Sequence, residues 1–151
     1  INVDSDPMVI EYNVRMGDPE TEVVMPRIVS DLLPLLEAAA KGNLGDMPLE
    51  IKSEAAVTVM AVSAGYPGKY VKGKEITGCN AVEDSILFHA GTSLTESGEL
   101  VTAGGRVISV TSLGKSIPEA LEKSYCSMDK INFEGMNFRR DIGKDVLNIK
   151  C

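Results

Sequence analysis

One run of ten residues constrains the fold of this chain more than any other feature. Residues 55–64, AAVTVMAVSA, are nearly all small or β-branched, which predicts a buried strand. A polar stretch at 43–53 that contains glycine and proline precedes the run, and a Gly-Tyr-Pro-Gly turn at 65–68 follows it. We therefore expect the chain to divide near residue 45 into a first part, 1–45, and a second part, 46–151.

The first part begins with the pattern of a hairpin followed by one strand. Residues 2–7, NVDSDP, have the composition of a tight turn. Residues 8–14, MVIEYNV, are rich in β-branched and aromatic side chains and predict a strand. The Gly-Asp-Pro sequence at 17–19 should end that strand, because glycine and proline favour turns.

Two short helices are expected after this turn, where apolar side chains recur at helical spacing. Pro34 would break a single long helix, because proline lacks the N–H that a helix interior requires. If Asp31 caps a second helix, Pro34 falls in its first turn, where the N–H has no partner in any case. The pattern thus predicts one helix up to about Val29 and another at 32–41 that ends at Gly42.

The second part predicts a mainly antiparallel sheet with one or two helices. Further strands are expected at 86–90, 99–102 and 106–111, separated by loops rich in Gly, Thr, Ser and Glu. The capping box Ser-Ile-Pro-Glu at 116–119 should start a helix that continues to about residue 130. Gly104-Gly105 favours a hairpin turn into the next strand, with a phosphate-binding nest of backbone amides as the alternative.

Charge and cysteine content narrow the classes of function. The net charge is −7 and the lysines and arginines are scattered, which argues against a nucleic-acid partner. No apolar run approaches the roughly 18 residues of a membrane span. Cys79, Cys126 and Cys151 are far apart and odd in number, so free thiols in a reducing cytoplasm are expected rather than a zinc site or a disulfide framework.

The pattern that best indicates metal binding or catalysis lies in the predicted strand at 8–14 and the turn after it. Glu11, Asn13 and Arg15 are spaced by two, so in a strand their side chains share one face. A carboxylate beside an amide oxygen suits Mg²⁺, and an arginine can stabilise charge on a phosphoryl group. An exposed polar strand face explains that spacing equally well. The additional charges of Asp18 and Glu20 at the strand exit favour the functional interpretation.

These residues carry a resemblance to a known family. Glu11-Tyr12-Asn13-Val14-Arg15 resembles the last catalytic strand of ATP-grasp ligases. Extended through RMGDPETE at 15–22, the segment resembles the signature of phosphoribosylamine–glycine ligases (glycinamide ribonucleotide synthetases), with Met16 in place of the usual Phe or Leu. Further blocks in the same order are Ser30-Asp31-Leu32-Leu33, Ala64-Gly65-Tyr66-Pro67-Gly68, Phe88-His89-Ala90-Gly91-Thr92, Gly104-Gly105-Arg106-Val107 and Arg140-Asp141-Ile142-Gly143.

The resemblance implies an α+β fold and an activity. Residues 1–45 would form the C-terminal end of an ATP-grasp domain, and 46–151 the ligase C-terminal domain, a small mainly antiparallel β module of the rudiment single-hybrid type. The family joins 5-phosphoribosylamine and glycine in de novo purine synthesis, using ATP and passing through glycyl phosphate.

The resemblance also implies residue roles. Glu11 and Asn13 would bind the Mg²⁺ or Mn²⁺ of ATP, and Arg15 would face the reacting phosphate. Asp18 and Glu20 would contact the substrate amine or orient Arg15.

Two residues of the second part are weaker candidates on the substrate side. His89 lies in an apolar strand, where a structural histidine is the commoner case. Arg106 is either a substrate contact or a salt-bridge partner, and its sequence context does not choose between them.

The chain opens at Ile1, only ten residues before its chemical motif, so we expect it to lack the N-terminal part of the enzyme. That missing part would then be its partner, and the chain alone would be inactive. The alternative is a non-catalytic binding module derived from such a ligase.

Overall fold

The computed structural model describes residues 1–146. In chain order its elements are β1 (Asn2–Val3), β2 (Asp6–Pro7), α1 (Thr21–Val24), α2 (Leu32–Ala40), β3 (Ala55–Ser63), β4 (Ile86–His89), β5 (Thr92–Leu94), β6 (Leu100–Thr102), β7 (Arg106–Gly114), α3 (Ile117–Met128) and β8 (Met136–Asn137). Short 3-10 turns lie at Met25–Arg27 and Cys79–Ala81. The α+β class and the mainly antiparallel pairing agree with the sequence-based prediction.

The long antiparallel pair β3 and β7 organises the second part of the chain. The main sheet has the order β4-β7-β3-β8, and every pairing in it is antiparallel. Val59 of β3 lies opposite Val110 of β7, and both side chains are buried. The predicted strand at 55–64 is thus confirmed as Ala55–Ser63, with alternate side chains buried in the core and those between them half-buried.

Helix α3 packs against β3 and β7 and completes the core. Its N-cap is Ser116, whose side chain accepts a hydrogen bond from the amide of Glu119. The Glu119 carboxylate in turn accepts from the amide of Lys115 at 2.9 Å, so the Ser116 cap is formed and the return bond of the predicted capping box goes to the residue before it. Ala120 and Met128 are fully buried, and burying an apolar side chain of the size of methionine stabilises by about 1.5–3 kcal/mol.

Helix α2 begins and ends where its sequence predicts. The Asp31 side chain accepts a hydrogen bond from the amide of Leu33 at 3.1 Å, and Gly42 follows the last turn with a φ of +69°. The segments on either side of α2 are tied together by an antiparallel bridge between Ile28 and Ile51. Helix α2 therefore lies in an excursion of the chain, residues 29–50, whose two ends are joined by this bridge.

Two of the expected elements in the first part differ in the structure. Residues 2–7 form the expected hairpin of β1 and β2, but residues 8–14 form no strand. Within residues 1–146 no neighbouring strand pairs with this segment, so the β-forming side chains have no ladder to join, and Val14 is 99% exposed. The helix expected up to Val29 ends at Val24, and Ile28 is already extended because it enters the bridge with Ile51.

The hairpin expected at Gly104-Gly105 is also absent. Strand β6 pairs with β5, whereas β7 pairs with β3 and β4. The two glycines therefore lie where the chain passes from β6, in one sheet, to β7, in the other. We call this passage the crossing. Within the part of the chain that the structure describes, no helix has the length and apolar content needed to span a membrane.

Candidate functional site

The Gly17–Glu20 turn is held by hydrogen bonds to the start of α1. Thr21 donates through its hydroxyl to the carbonyl of Gly17 at 2.6 Å, and the amide of Val24 donates to the carbonyl of Glu20 at 3.0 Å. A Cβ placed on Gly17 would lie 2.5 Å from the carboxyl carbon of Glu20, so a glycine is needed for this carboxylate to fold back over the turn. The charged motif is therefore an ordered loop and helix start.

Asp18 of this turn is paired with Arg106, the first residue of β7. The Nη2 atom of Arg106 lies 2.7 Å from Oδ2 of Asp18, and its Nη1 donates to the backbone carbonyl of Asp18 at 3.1 Å. The two residues are 88 positions apart in the chain. Two blocks that the sequence analysis selected separately thus meet, and the salt-bridge interpretation of Arg106 is the one that the structure favours.

Close backbone contacts fix the position of Arg106. The amide of Gly91 donates to the carbonyl of Arg106 at 2.8 Å, and the carbonyl of Gly91 accepts from the amide of Gly104 at 3.1 Å. Ser63 donates through its amide to the carbonyl of Gly105 at 2.8 Å. Because the Gly104 amide is already bonded within the fold, it is not available to a phosphate, and a nest at this place would lack that donor.

The Gly105 position is also closed by aromatic rings. A Cβ on Gly105 would meet the ring of Tyr66 and would lie 3.0 Å from Cε1 of Tyr70. Tyr66 therefore packs directly on the backbone that precedes Arg106. The Gly-Tyr-Pro-Gly block and the Gly-Gly-Arg block are thus in contact, a relationship that the sequence did not reveal.

A second contact joins the motif to the sheet. Helix α1 packs against β3, and Pro19, Val23, Val24 and Thr58 line a hollow of about 300 Å³ between them. Thr58 also accepts a hydrogen bond from the hydroxyl of Thr111 at 2.8 Å, which joins it to β7. The turn and α1 therefore lie on the sheet of the second part at two places, through apolar packing and through the ion pair.

Glu11, Asn13 and Arg15 lie in the irregular, exposed segment before the turn. Among residues 1–146 the Glu11 and Asn13 side chains have no hydrogen-bond partner, and Arg15 donates only to the carbonyl of Met16 at 2.9 Å. The expected common strand face is not formed, since the segment is not a strand. Their carboxylate and amide oxygens are hard donors that suit Mg²⁺ or Mn²⁺, but no group of three acidic, histidine or cysteine ligands exists in the described residues.

His89 lies at the exposed end of β4, where its Nδ1 atom is 3.1 Å from the Thr92 hydroxyl. It precedes Gly91, the residue that bonds the backbone of Arg106. His89 is thus close in sequence to the crossing, and it is hydrogen-bonded, as expected for a structural histidine.

A cavity of about 360 Å³ opens beside Arg106. Arg139, Phe138 and Tyr66 line it together with Arg106. Arg139 binds Asp141 through two contacts of 2.9 and 2.8 Å, and this guanidinium lowers the pKa of the Asp141 carboxyl below its usual range. The sequence signals nearest to this cavity were the Ala64-Gly65-Tyr66-Pro67-Gly68 and Arg140-Asp141-Ile142-Gly143 blocks.

Comparison with known proteins identifies the family. Residues 56–145, more than half of the chain, match the family model described as phosphoribosylglycinamide synthetase, C domain. The chain belongs to the phosphoribosylglycinamide synthetase C-domain family. The matched residues cover β3 to β8, including Arg106 and the Gly91 contact.

Members of this synthetase family resemble almost the whole chain. The phosphoribosylamine–glycine ligase of Caldanaerobacter subterraneus is 46% identical over 136 residues, which are 90% of this chain and 32% of that protein. That of Chlorobaculum tepidum is 49% identical over 144 residues, 93% of this chain and 34% of that protein. The crystal structure of the Thermotoga maritima phosphoribosylamine–glycine ligase superimposes with a TM-score of 0.78 at 39% identity, over 91% of this chain and 34% of that one. The chain thus spans about a third of the length of these relatives.

Proposed function

We propose that this chain supplies the C domain, and the adjoining end of the ATP-grasp domain, of a phosphoribosylamine–glycine ligase. One observation carries the proposal beyond family membership. Asp18, in the motif that resembles the ATP-grasp signature, is bonded to Arg106 in the matched C domain. Such a contact is what an active site shared between two adjacent domains requires. The division of the chain near residue 45 is part of the same proposal.

The reaction would proceed in two transfers. An oxygen of the glycine carboxylate takes the terminal phosphoryl group of ATP, and ADP leaves. The nitrogen of 5-phosphoribosylamine then attacks the acyl carbon, phosphate departs with the C–O bond, and the nitrogen loses a proton. Both steps build negative charge on phosphoryl oxygens, so the chain must supply cationic groups and oxygen ligands at that place.

In this proposal Glu11 and Asn13 hold the Mg²⁺ or Mn²⁺ that accompanies ATP. Two protein oxygens are the usual contribution to such a site, with phosphate oxygens and water completing the shell. Their exposure and lack of partners among residues 1–146 leave both side chains available. The metal would neutralise charge on the triphosphate while it is bound.

Arg15 precedes the Gly17–Glu20 turn and Glu20 ends it, and the two residues complete the proposed site on this chain. Arg15 would contact the transferring phosphoryl group, because a guanidinium offers several donors to phosphate oxygens. Glu20 would face the substrate amine or orient Arg15. His89 stays a weaker candidate on the substrate side.

The proposal includes partners and a location. Glycine, 5-phosphoribosylamine and ATP are the small molecules, and the rest of the ligase supplies the other walls of the site. Because the relatives are about three times longer than this chain, we propose that it does not turn over alone. A reducing cytoplasm fits Cys79, which is free in the described structure.

A chimera tests this proposal. This chain would replace the matching region of the Thermotoga maritima ligase, and release of ADP would be measured with each substrate omitted in turn. We expect release that requires both glycine and 5-phosphoribosylamine. Glu11→Gln should lower turnover at least about a hundredfold without changing the melting temperature, because it removes a metal ligand.

Glu54→Gln is the matched control, since Glu54 is an exposed carboxylate just outside the sheet. It should leave turnover unchanged. A chimera that folds with the melting temperature of the parent but releases no ADP would instead favour a non-catalytic module.

A further inference from the structure

We infer that Arg106 is a positioning residue that sets the place of the Gly17–Glu20 turn by binding Asp18, and that the role of Asp18 is this contact and not a contact with the substrate amine. This inference rests on the proposed function for its consequence in catalysis, but its structural part is independent of it. It assigns one role to two residues whose roles the sequence left open. Asp18 and Arg106 together connect the Gly17–Glu20 turn to the main sheet, and we call this contact the joint.

The contact constrains the backbone of the turn as well as a side chain. Nη2 of Arg106 binds the carboxylate of Asp18, and Nη1 binds its carbonyl oxygen. A carboxylate alone could rotate with its side chain and keep the ion pair. The second hydrogen bond joins Arg106 to the main chain, so movement of the turn breaks it.

The Arg106 end of the joint is rigid. Arg106 lies opposite Val62 at the register shift of β3, and its carbonyl accepts from Gly91. The carbonyl of Gly105 before it accepts from Ser63. The side chain of Arg106 extends from this backbone framework to Asp18, and 36% of it is exposed. The main sheet thus determines the position of the Arg106 guanidinium.

Asp18, at the other end of the joint, is connected through the turn to the residues that have proposed roles in catalysis. Gly17, before Asp18, accepts the hydroxyl of Thr21, and Glu20, after it, accepts the amide of Val24. Arg15 lies three residues before Asp18 and Glu20 two residues after it. Holding Asp18 therefore limits where both charged groups can lie. A substrate amine that bound Oδ2 of Asp18 would have to displace Arg106.

Four backbone amides report the state of this joint. Those of Thr21, Glu22, Val23 and Val24 all donate to carbonyls of the turn, at 3.0 to 3.2 Å. Their hydrogen exchange should rise when the turn is released. The amides of β3 and β7 form an internal reference, because their ladder hydrogen bonds do not involve the turn.

The first experiment measures hydrogen exchange of this chain in the variants Asp18→Asn, Arg106→Gln and the double variant. Each single substitution should raise exchange of the four amides about two- to fivefold, the range of a partly exposed ion pair. The double variant should match Arg106→Gln, because that substitution already removes both hydrogen bonds to Asp18, whereas Asp18→Asn leaves the one to the backbone carbonyl. Arg106→Lys should fall between Arg106→Gln and the parent, since lysine keeps the charge but loses the paired geometry.

Arg139→Gln is the matched control. It removes another guanidinium of the same cavity whose ion pair is with Asp141 and not with the turn, so the four amides should be unaffected. Additive effects of the Asp18 and Arg106 substitutions, or no change in the four amides, would overturn the inference. An equal rise in β3 and β7 after Arg106→Gln would also overturn it, because that would show a general loss of stability.

The second experiment uses the chimera and compares kcat with KM. Positioning through the joint predicts that Asp18→Asn and Arg106→Gln both lower kcat, Arg106→Gln at least as much, and that the double variant loses no more than Arg106→Gln. An Asp18 that bound substrate would instead raise the KM for 5-phosphoribosylamine or glycine in Asp18→Asn alone, and that result would reject the inference. The exchange experiment needs no turnover, so a failure of the proposed function is distinguishable from a failure of the joint.

Discussion

Gly91 and Gly104 pass each other backbone to backbone: a Cβ on Gly91 would lie 2.6 Å from the Cα of Gly104. The same Cβ would also meet the carbonyl oxygen of Arg106. The crossing that positions Arg106 thus has no room for a Cβ at either position, so both residues must be glycine.

Gly91→Ala should therefore destabilise the chain by about 2–3 kcal/mol, because the added methyl group displaces main chain and not a flexible side chain. Urea unfolding followed by circular dichroism measures this change. Gly45→Ala is the control. Its φ of +53° costs about 1 kcal/mol for any alanine, but its Cβ would approach no atom closer than 3.9 Å. Equal losses in the two variants would contradict the steric account.

Ser124→Ala should cost about 1–2 kcal/mol, because it breaks a buried network of hydroxyl groups. Its hydroxyl lies 3.1 Å from the carbonyl of Val57 and 3.0 Å from the hydroxyl of Ser112, which itself lies 2.7 Å from that of Ser85. The exposed Ser93→Ala should change the free energy of unfolding by less than about 0.5 kcal/mol. A Ser124→Ala variant as stable as Ser93→Ala would show that the network adds nothing to stability.

Protonation of Glu119 should weaken the start of α3 in acid. The ammonium of Lys123, 2.9 Å away, and the amide of Lys115 lower the pKa of the Glu119 carboxyl below its usual value of 4.5. A lowered pKa in the folded state gives stability that is present above pH 4.5 and is lost as the pH falls through the folded value. Unfolding experiments across this range should show a smaller pH dependence in Glu119→Gln than in the parent.

Glu122→Gln is the control on the same helix, since Glu122 has no ion pair within residues 1–146. Its pH dependence should remain close to that of the parent. If both glutamine variants lose the same pH dependence, the interaction with Lys123 and Lys115 is not its source.

Cys126 should react with iodoacetamide before Cys79 in the folded chain. Cys126 is exposed, whereas burial raises the pKa of the Cys79 thiol and leaves less of the reactive thiolate at neutral pH. Peptide mapping by mass spectrometry follows each site separately. In urea the difference should disappear, and faster alkylation of Cys79 in the folded chain would contradict the burial argument.

Elements whose partners lie nearby in sequence were predictable. Asp31 and Ser116 were identified as caps because a cap bonds amides two or three residues ahead, and the structure forms both. The run at 55–64 was identified as buried because its side chains leave no polar face. In these cases a local pattern contains all the groups that decide the conformation.

Elements that depend on distant partners were not predictable. The β-forming side chains of residues 8–14 favour an extended backbone, but a strand also needs a neighbour, and the described chain provides none. The pairing of Asp18 with Arg106 could not be selected from a chain with 22 acidic and 15 basic residues, since charge alone favours every such pair. The roles of Glu11 and Asn13 stay predictions for the same reason.

The bridge between Ile28 and Ile51 has a consequence for how such chains can vary. Hydrogen bonds from Val29 to Glu50 and from Lys52 to Arg27, at 2.9 and 2.7 Å, close the excursion that contains α2. Since its ends are already joined, doubling the intervening length would cost only about 0.6 kcal/mol in loop entropy. Insertions and deletions between these ends can therefore accumulate without shifting the register of β3 or the turn that Arg106 holds, which makes α2 the natural place for members of this family to differ in length.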